Sequence, residues 1–275
     1  GPFAAAFGNP TIVSDATTNL TPTSQATAVS GTLQVTDGSA TADVIGLYLG
    51  TGSGDNFTAG STSTAMYGFG GNDTLTGGTA ADFIFGGTGA DTIAAGSGDD
   101  TINLANGQFV SGESIDGGAK SDSIALTNGT TVDFTVGTVT NVEALTASTG
   151  DDTVTLSALQ LAGLGSVDLV SGTDTLNVLA NGNPSQLALA ALSNIDTGNL
   201  IGTSGTDSIT LTGAQLDAIL IGSGTISLGS GTGDTINLTS TSSDLNTMGA
   251  MDASIQGVEA ISAATAGAGV TITLS

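Results

Sequence analysis

The sequence between residues 50 and 103 repeats every nine residues, and this period constrains the fold more than any other feature. The eighth residue of every unit is large and apolar, and the sixth is aspartate in all but one unit. The six units are GTGSGDNFT (50–58), AGSTSTAMY (59–67), GFGGNDTLT (68–76), GGTAADFIF (77–85), GGTGADTIA (86–94) and AGSGDDTIN (95–103). A fixed period of this kind indicates a stack of similar coils with a thin core.

Each unit contains a glycine loop and a short strand. The glycines allow a positive φ and bring backbone carbonyls close together, while a segment such as Thr-Ile-Ala forms a strand with its central side chain pointing inward. Aromatic residues make up only 4% of the chain, whereas 43 residues are glycine. Small, β-branched and leucine side chains therefore have to fill the core.

The units resemble the GGxGxDxUx nonapeptide of RTX calcium-binding proteins, in which U is a large apolar residue. The unit at 86–94 matches at every defined position. Ala95, Phe69 and Ala80 each replace a glycine, and the unit at 59–67 keeps little beyond its apolar residue. The resemblance implies that two units form one 18-residue coil of a parallel β-roll, with calcium held between the loops of successive coils.

Coils of this length stack the aspartates on two edges. Asp73 is then expected between Asp55 and Asp91, and Asp82 between Thr64 and Asp100. At a strand spacing of about 4.8 Å, two carboxylates repel by about 1 kcal/mol in water and by about 3–4 kcal/mol at an effective dielectric constant of 20. This repeated cost explains why a cation is needed between the coils.

The resemblance also implies the calcium ligands, with sixth-position aspartates supplying carboxylate oxygens and the glycine loops supplying carbonyls. The residues assigned on this basis are Asp55, Asp73, Asp82, Asp91, Asp100, Gly70, Gly71, Gly78, Gly87, Gly89, Gly96 and Gly98. A site that pairs Thr64 with Asp82 should be weak or absent. The alternative is that these aspartates only cap glycine turns through hydrogen bonds.

Asp122 is a further expected ligand, because the segment GGAKSDSIA (117–125) keeps the nonapeptide form. Lys120 stands in its fourth position. The ammonium group of Lys120 either replaces calcium in this site or is exposed to solvent, and the sequence favours neither alternative.

Beyond Asn103 the nine-residue phase ends, and a box of the form Asp-(Thr/Ser)-apolar-x-apolar replaces it. The boxes begin at Asp122, Asp152, Asp174, Asp207 and Asp234, and acidic segments follow around Glu143, Asp196 and Glu259. Gln160 and Gln215 each lie eight residues after an aspartate. We expect a continuing solenoid of longer coils, with short helical turns near 156–164 and 211–220. Whether the four later box aspartates bind calcium stays open.

The charge balance excludes several functions. The chain has 25 acidic residues, a single base, no histidine and no cysteine, which gives a formal net charge of −24. A nucleic-acid partner is excluded because no phosphate backbone could be neutralised. The usual zinc ligands and most general bases and activated nucleophiles are missing, so we expect no enzyme activity. The sequence has no apolar run long enough for a membrane helix, and we expect no membrane insertion.

These features together predict an all-β fold, a right-handed parallel β-roll or β-helix solenoid with calcium-binding turns. The chain divides into three predicted parts: an extended arm or linker at 1–30, a nonapeptide calcium-binding β-roll at 31–110, and a longer-coil β-solenoid with composite repeats of about 55 residues at 111–275.

The resemblance implies a secreted protein that binds several Ca²⁺ ions, leaves the cell by type I secretion and acts at the extracellular surface. We expect a structural role in which the chain folds on secretion and assembles into a surface layer through calcium-dependent self-association. Lipopolysaccharide or another surface protein is a candidate partner. The alternative is a calcium-binding stalk or secretion module of an RTX adhesin or secreted enzyme.

Overall fold

The structure is a computed structural model, and it describes residues 11–13, 27–36, 45–179, 191–220, 224–240, 255–258 and 260–262. Over these residues the chain is nearly all β, with parallel sheets stacked as a β-solenoid of about 8 turns. This confirms the predicted all-β solenoid. Only the first three strands pair in the antiparallel sense.

Four sheets form the walls of the solenoid, and the first of them runs along most of its length. Its ten strands lie side by side in the order β1 (Thr11–Val13), β2 (Thr27–Thr36), β3 (Ile45–Leu49), β5 (Thr64–Gly70), β7 (Phe83–Thr88), β9 (Thr101–Ala105), β11 (Ser123–Thr127), β14 (Ala144–Thr146), β16 (Ser166–Asp168) and β18 (Ala191–Ser193).

The other three sheets each cover a part of the solenoid. The second has the order β13 (Thr138–Thr140), β10 (Ser114–Asp116), β8 (Thr92–Ala94), β6 (Thr74–Thr76) and β4 (Asn56–Thr58). The third has the order β12 (Thr131–Asp133), β15 (Thr153–Ser157), β17 (Thr175–Leu179), β19 (Thr197–Thr203), β21 (Thr225–Gly229) and β23 (Ile255–Gln256). The fourth contains β20 (Ser208–Leu211), β22 (Thr235–Leu238) and β24 (Ala260–Ser262).

The register of the strands gives the length of each coil. Thr74 pairs with Thr92 in the nonapeptide region, 18 residues further along, as the resemblance implies. Thr92 then pairs with Ser114, and the coils lengthen to 22 residues. Still later, the coil between Asp207 and Asp234 spans 27 residues. The first sheet continues from β9 to β11 across residue 110, and the predicted division of the chain there stays a prediction.

Two short helices interrupt the strands at equivalent places, which confirms the predicted helical turns. They are α1 (Ala158–Gly163) and α2 (Gly213–Ile219), and a 3-10 turn covers Phe134–Val136. Each α-helix begins with a capping box, in which Gln160 pairs with Ser157 and Gln215 with Thr212. The repeated glutamines therefore start the helices. Among the residues described, no helix is long and apolar enough to span a membrane.

The eighth residues of the nonapeptides form the core, as the repeat predicts. Ile84, Ile93 and Ile102 are at most 1% exposed, and the central strand residues of β6 and β8 are buried between less buried neighbours. They belong to one apolar cluster that extends from Phe57 to Leu238. Each strand contributes only one or two inward side chains to it, so the core is narrow throughout.

We predict that Ile93→Ala lowers the free energy of unfolding by about 2–5 kcal/mol, because it leaves a cavity in this narrow core. Thr92→Ala is the matched control, since Thr92 is the exposed neighbour on the same strand, and its effect should stay within about 0.5 kcal/mol. Urea unfolding of both variants in one calcium-containing buffer checks this. Equal losses in the two variants would contradict the inward orientation of Ile93.

Candidate metal-binding loops

An acidic residue stands immediately before many strands of the solenoid, and its carboxylate joins two coils. The backbone N–H of Asp55 donates to Oδ1 of Asp73 at 2.7 Å, and that of Asp73 donates to Oδ1 of Asp91 at 2.8 Å. The N–H of Asp91 then donates to Oε2 of Glu113 at 3.0 Å. These residues form a ladder along one edge, in which Asp55, Asp73 and Asp91 follow one another in the predicted order.

Three more ladders of the same kind precede the strands of the other sheets. The second ladder places Asp82 between Thr64 and Asp100, also as predicted. Its members are Thr64, Asp82, Asp100, Asp122 and Glu143; those of the third are Thr130, Asp152, Asp174 and Asp196; those of the fourth are Asp207 and Asp234. Each described sheet edge therefore has its own ladder.

Sequence reasoning missed three acidic members of these ladders. Glu113, Glu143 and Asp196 each accept the N–H of the aspartate one coil earlier, 21 or 22 residues back in the chain. The available signal was their spacing, because Glu143 and Asp196 already stood out as repeated acidic segments. The third such segment contains Glu259, which lies outside the described residues.

Burial raises the pKa of most of these carboxyl groups. It raises the pKa of Asp73 and of Asp100 to about 6 and that of Glu113 to about 8, and the charges of neighbouring acids add to the effect. A backbone N–H bonded to each group opposes this shift. Burial also raises the pKa of Asp82, Asp91, Asp122 and Asp174.

The two oxygens of each carboxylate have different environments. The hydrogen bonding of the second oxygen, Oδ2, distinguishes two kinds of loop. In a closed loop, the residue four positions before the aspartate donates its N–H to Oδ2. Thr51 donates to Asp55 at 2.6 Å and Gly78 donates to Asp82 at 2.9 Å. Asp152 and Asp207 accept in the same way from Ser148 at 3.3 Å and from Thr203 at 2.8 Å. Oδ2 of each closed-loop aspartate is therefore hydrogen-bonded, and Oδ1 of Asp82 and of Asp152 also accepts an N–H of the preceding coil.

In an open loop, Oδ2 is buried and has no hydrogen-bond partner. This describes Asp73, Asp91, Asp100, Asp122 and Asp174. In every one of these loops the residues four and two positions before the aspartate have positive φ values, as in the pair Gly87 and Gly89 before Asp91, at 110° and 129°. The closed loops show no positive φ at these positions. In these nine loops, positive φ at both positions therefore goes together with a buried second oxygen that has no partner.

An open loop lacks a group that offsets the free-energy cost of burying its carboxylate. A hydrogen bond to a charged acceptor contributes about 1.5–3 kcal/mol, whereas burying a carboxylate costs several kcal/mol. One amide bond to Oδ1 does not offset that cost. No basic side chain helps, because Lys120 is exposed, and no ion pair is found in the part of the chain that the structure describes. Of the two alternatives for Lys120, replacing calcium or being exposed to solvent, the structure shows exposure to solvent.

The glycine loops bring carbonyls to the same places. A side chain at Gly89 would collide with the carbonyl of Gly71, and one at Gly87 with that of Phe69, so the loops of successive coils are in contact. The carbonyls of Gly78 and Gly96 accept hydrogen bonds from Ser97 and Ala119 of the next coils. Within the described ranges no cluster of three or more acidic side chains surrounds one point.

An open loop therefore has the donors that a hard cation prefers, a buried carboxylate oxygen and nearby backbone carbonyls. The fit holds for Asp73, Asp91, Asp100 and Asp122 among the predicted ligands. Asp55 and Asp82 lie in closed loops, where an amide group occupies Oδ2. Calcium ligation by any of these aspartates, and by the predicted glycines Gly70, Gly71, Gly78, Gly87, Gly89, Gly96 and Gly98, stays a prediction.

Comparison with known families supports this interpretation of the loops. A model of the RTX calcium-binding nonapeptide repeat matches residues 67–102 in four copies. The chain carries RTX calcium-binding repeats. The match confirms the resemblance over the units from 68 to 102 and does not extend to the units at 50–66. The comparisons with curated proteins and with solved structures give no match.

The matched RTX repeats contain both kinds of loop, which allows a sharp test. Asp91→Asn leaves the bond from Asp73 in place and removes a buried charge, so the melting temperature in chelator should stay equal or rise. The increase in melting temperature on adding calcium should shrink, because a charged ligand is gone. Differential scanning calorimetry with EDTA and with millimolar calcium measures both.

Asp82→Asn is the matched control in a closed loop. The new amide group faces the Gly78 N–H, so the melting temperature should fall with and without calcium, while the increase produced by calcium is retained. If the increase in melting temperature produced by calcium shrinks equally in both variants, the distinction between open and closed loops does not govern calcium binding.

The raised pKa values predict that, in EDTA, the protein is more stable in weak acid than at pH 8. A carboxyl group whose pKa is higher in the folded state stabilises the fold below its unfolded value and loses that contribution as the pH rises through the folded value. The loss should occur between pH 3.8 and about 6 for Asp73 and Asp100, and between pH 4.5 and about 8 for Glu113. Melting temperatures in EDTA should therefore fall by several degrees from pH 5 to pH 8, and a rise over this interval would contradict the prediction.

Proposed function

We propose that this protein is a calcium-dependent structural component of the bacterial cell surface that folds on secretion and assembles into a surface layer. The observation that carries the proposal is the set of buried carboxylate oxygens in the open loops, which have no hydrogen-bond partner and no basic residue to neutralise them. A fold with this charge distribution depends on a cation from outside the chain.

The same charge distribution supports a switch on export. Where calcium is scarce, the stacked carboxylates repel one another, and the narrow core contributes too little hydrophobic stabilisation to hold the coils together. Calcium, when bound, supplies the positive charge that the chain lacks. Extracellular calcium sites commonly have dissociation constants of about 10⁻⁴–10⁻³ M, which suits folding after export.

The composition of the chain bears on catalysis and on the choice of partners. With a single base and no histidine or cysteine, the chain lacks the groups that most enzymes use, and we propose no catalytic activity. Self-association through calcium is the proposed mode of assembly, because 25 acidic residues on each molecule repel unless cations are shared. Lipopolysaccharide, itself an anion, could be held in the same way, and another surface protein is the second candidate.

We expect that purified protein at millimolar calcium gains β-structure in circular dichroism and forms ordered two-dimensional sheets in negative-stain electron microscopy. EDTA should reverse both changes, and magnesium at the same concentration is the matched control for ionic strength. Folded monomers without sheets at every calcium level would contradict the surface-layer role and leave the stalk or secretion module of an RTX adhesin or enzyme. Circular dichroism that does not respond to calcium would contradict the calcium-dependent fold itself.

A further inference from the structure

The loop at 169–174 has the open conformation, although it lies far outside the matched repeats. Val170 and Gly172 occupy the positions four and two residues before Asp174, and their φ values are 66° and 158°. A β-branched residue rarely adopts such a value. The sequence here, LVSGTD, shares only the Gly and the Asp with the nonapeptide, and it left open whether Asp174 binds calcium.

The carboxylate of Asp174 is buried, and only one of its oxygens is hydrogen-bonded. Oδ1 accepts the N–H of Asp152 at 2.8 Å, while Oδ2 has no partner and the residue is 0% exposed. The Val170 N–H, which would donate to Oδ2 in a closed loop, donates instead to Oδ1 of Asp168 at 3.0 Å. The side chain of Asn194 holds Asp168 in that position with a bond of 2.6 Å to the same oxygen.

Other acidic groups border this loop, and no base does. Oδ1 of Asp151 accepts the N–H of Thr173 at 2.8 Å, and Oδ2 of Asp196 accepts that of Asp174 at 2.8 Å. A side chain at Gly172 would collide with the carbonyl of Gly150, which brings a backbone oxygen of the preceding coil to the loop. The single base of the chain, Lys120, belongs to a different loop.

We propose that loop 169–174 is an additional calcium site, in the longer-coil part of the solenoid, with Asp174 as its charged ligand. The site takes a hard divalent cation because its donors are carboxylate and carbonyl oxygens. The proposal rests on the calcium-dependent fold proposed above and adds that calcium binding extends beyond the nonapeptides. The neighbouring closed loop at Asp152 binds no ion, since Ser148 satisfies the second oxygen of Asp152 through both its N–H and its hydroxyl group.

The test counts bound calcium per chain by mass spectrometry of the metal after equilibrium dialysis at saturating calcium. Asp174→Asn should bind one ion fewer than the wild type, because Oδ1 still accepts the N–H of Asp152 while the charged ligand is lost. Asp152→Asn is the matched control on the same ladder and should bind as many ions as the wild type. Val170→Gly should also retain every ion, since glycine adopts the same φ more easily.

An unchanged count in Asp174→Asn overturns the site, and so does an equal loss in Asp152→Asn. If Asp174→Asn does not fold, crystals of the wild type soaked in strontium decide the matter by anomalous scattering. A peak within bonding distance of Oδ2 of Asp174 supports the site, and no peak there overturns it. Loss of sheet formation with a normal ion count would overturn the surface-layer role alone, so the two proposals fail separately.

Discussion

The hydrogen bond from a backbone amide to a buried carboxylate of the next coil is the interaction on which this solenoid depends. It recurs along four edges and fixes the residue immediately before a strand, so it sets where each strand begins. A neutral side chain could make the same bond at a lower desolvation cost. The charge therefore needs a reason of its own, and the second carboxylate oxygen provides it. In the loops of Asp73, Asp91, Asp100, Asp122 and Asp174 that oxygen is buried without a hydrogen-bond partner.

The narrow core makes this requirement stricter. The coils place one or two apolar side chains on each strand, and these side chains form a single column from Phe57 to Leu238. A thicker core could tolerate some repulsion between stacked charges. Here the hydrophobic stabilisation per coil is small, so a cation between the loops decides whether the coils hold together. The longer coils later in the chain add two capped helices and keep the same ladders, with fewer open loops.

The aspartate immediately before a strand has one of two chemical environments, according to the backbone conformation of its loop. With positive φ at the two loop positions, the amide does not donate to Oδ2, which is left buried without a partner. With ordinary φ values, that amide closes the loop and the aspartate acts only as a link between coils. Three of the four closed loops, those of Asp55, Asp152 and Asp207, have threonine or serine four residues before the aspartate, and its hydroxyl group adds a second bond. An assignment of calcium ligands from the position of aspartate alone therefore combines aspartates of open loops with aspartates of closed loops.

The sequence by itself determined the architecture. The nine-residue period, the apolar eighth position and the repeated glutamines predicted a parallel solenoid, its inward side chains and its two short helices, because these depend on local periodicity and capping. Only the tertiary structure decided which carboxylates are satisfied. Glu113, Glu143 and Asp196 joined the ladders because coils of unequal length bring distant residues into register, and the spacing of the acidic segments alone did not assign them to a ladder. Val170 opened the loop at Asp174 because Asp168, held by Asn194 of the next coil, takes its amide, and that contact exists only once the coils have stacked.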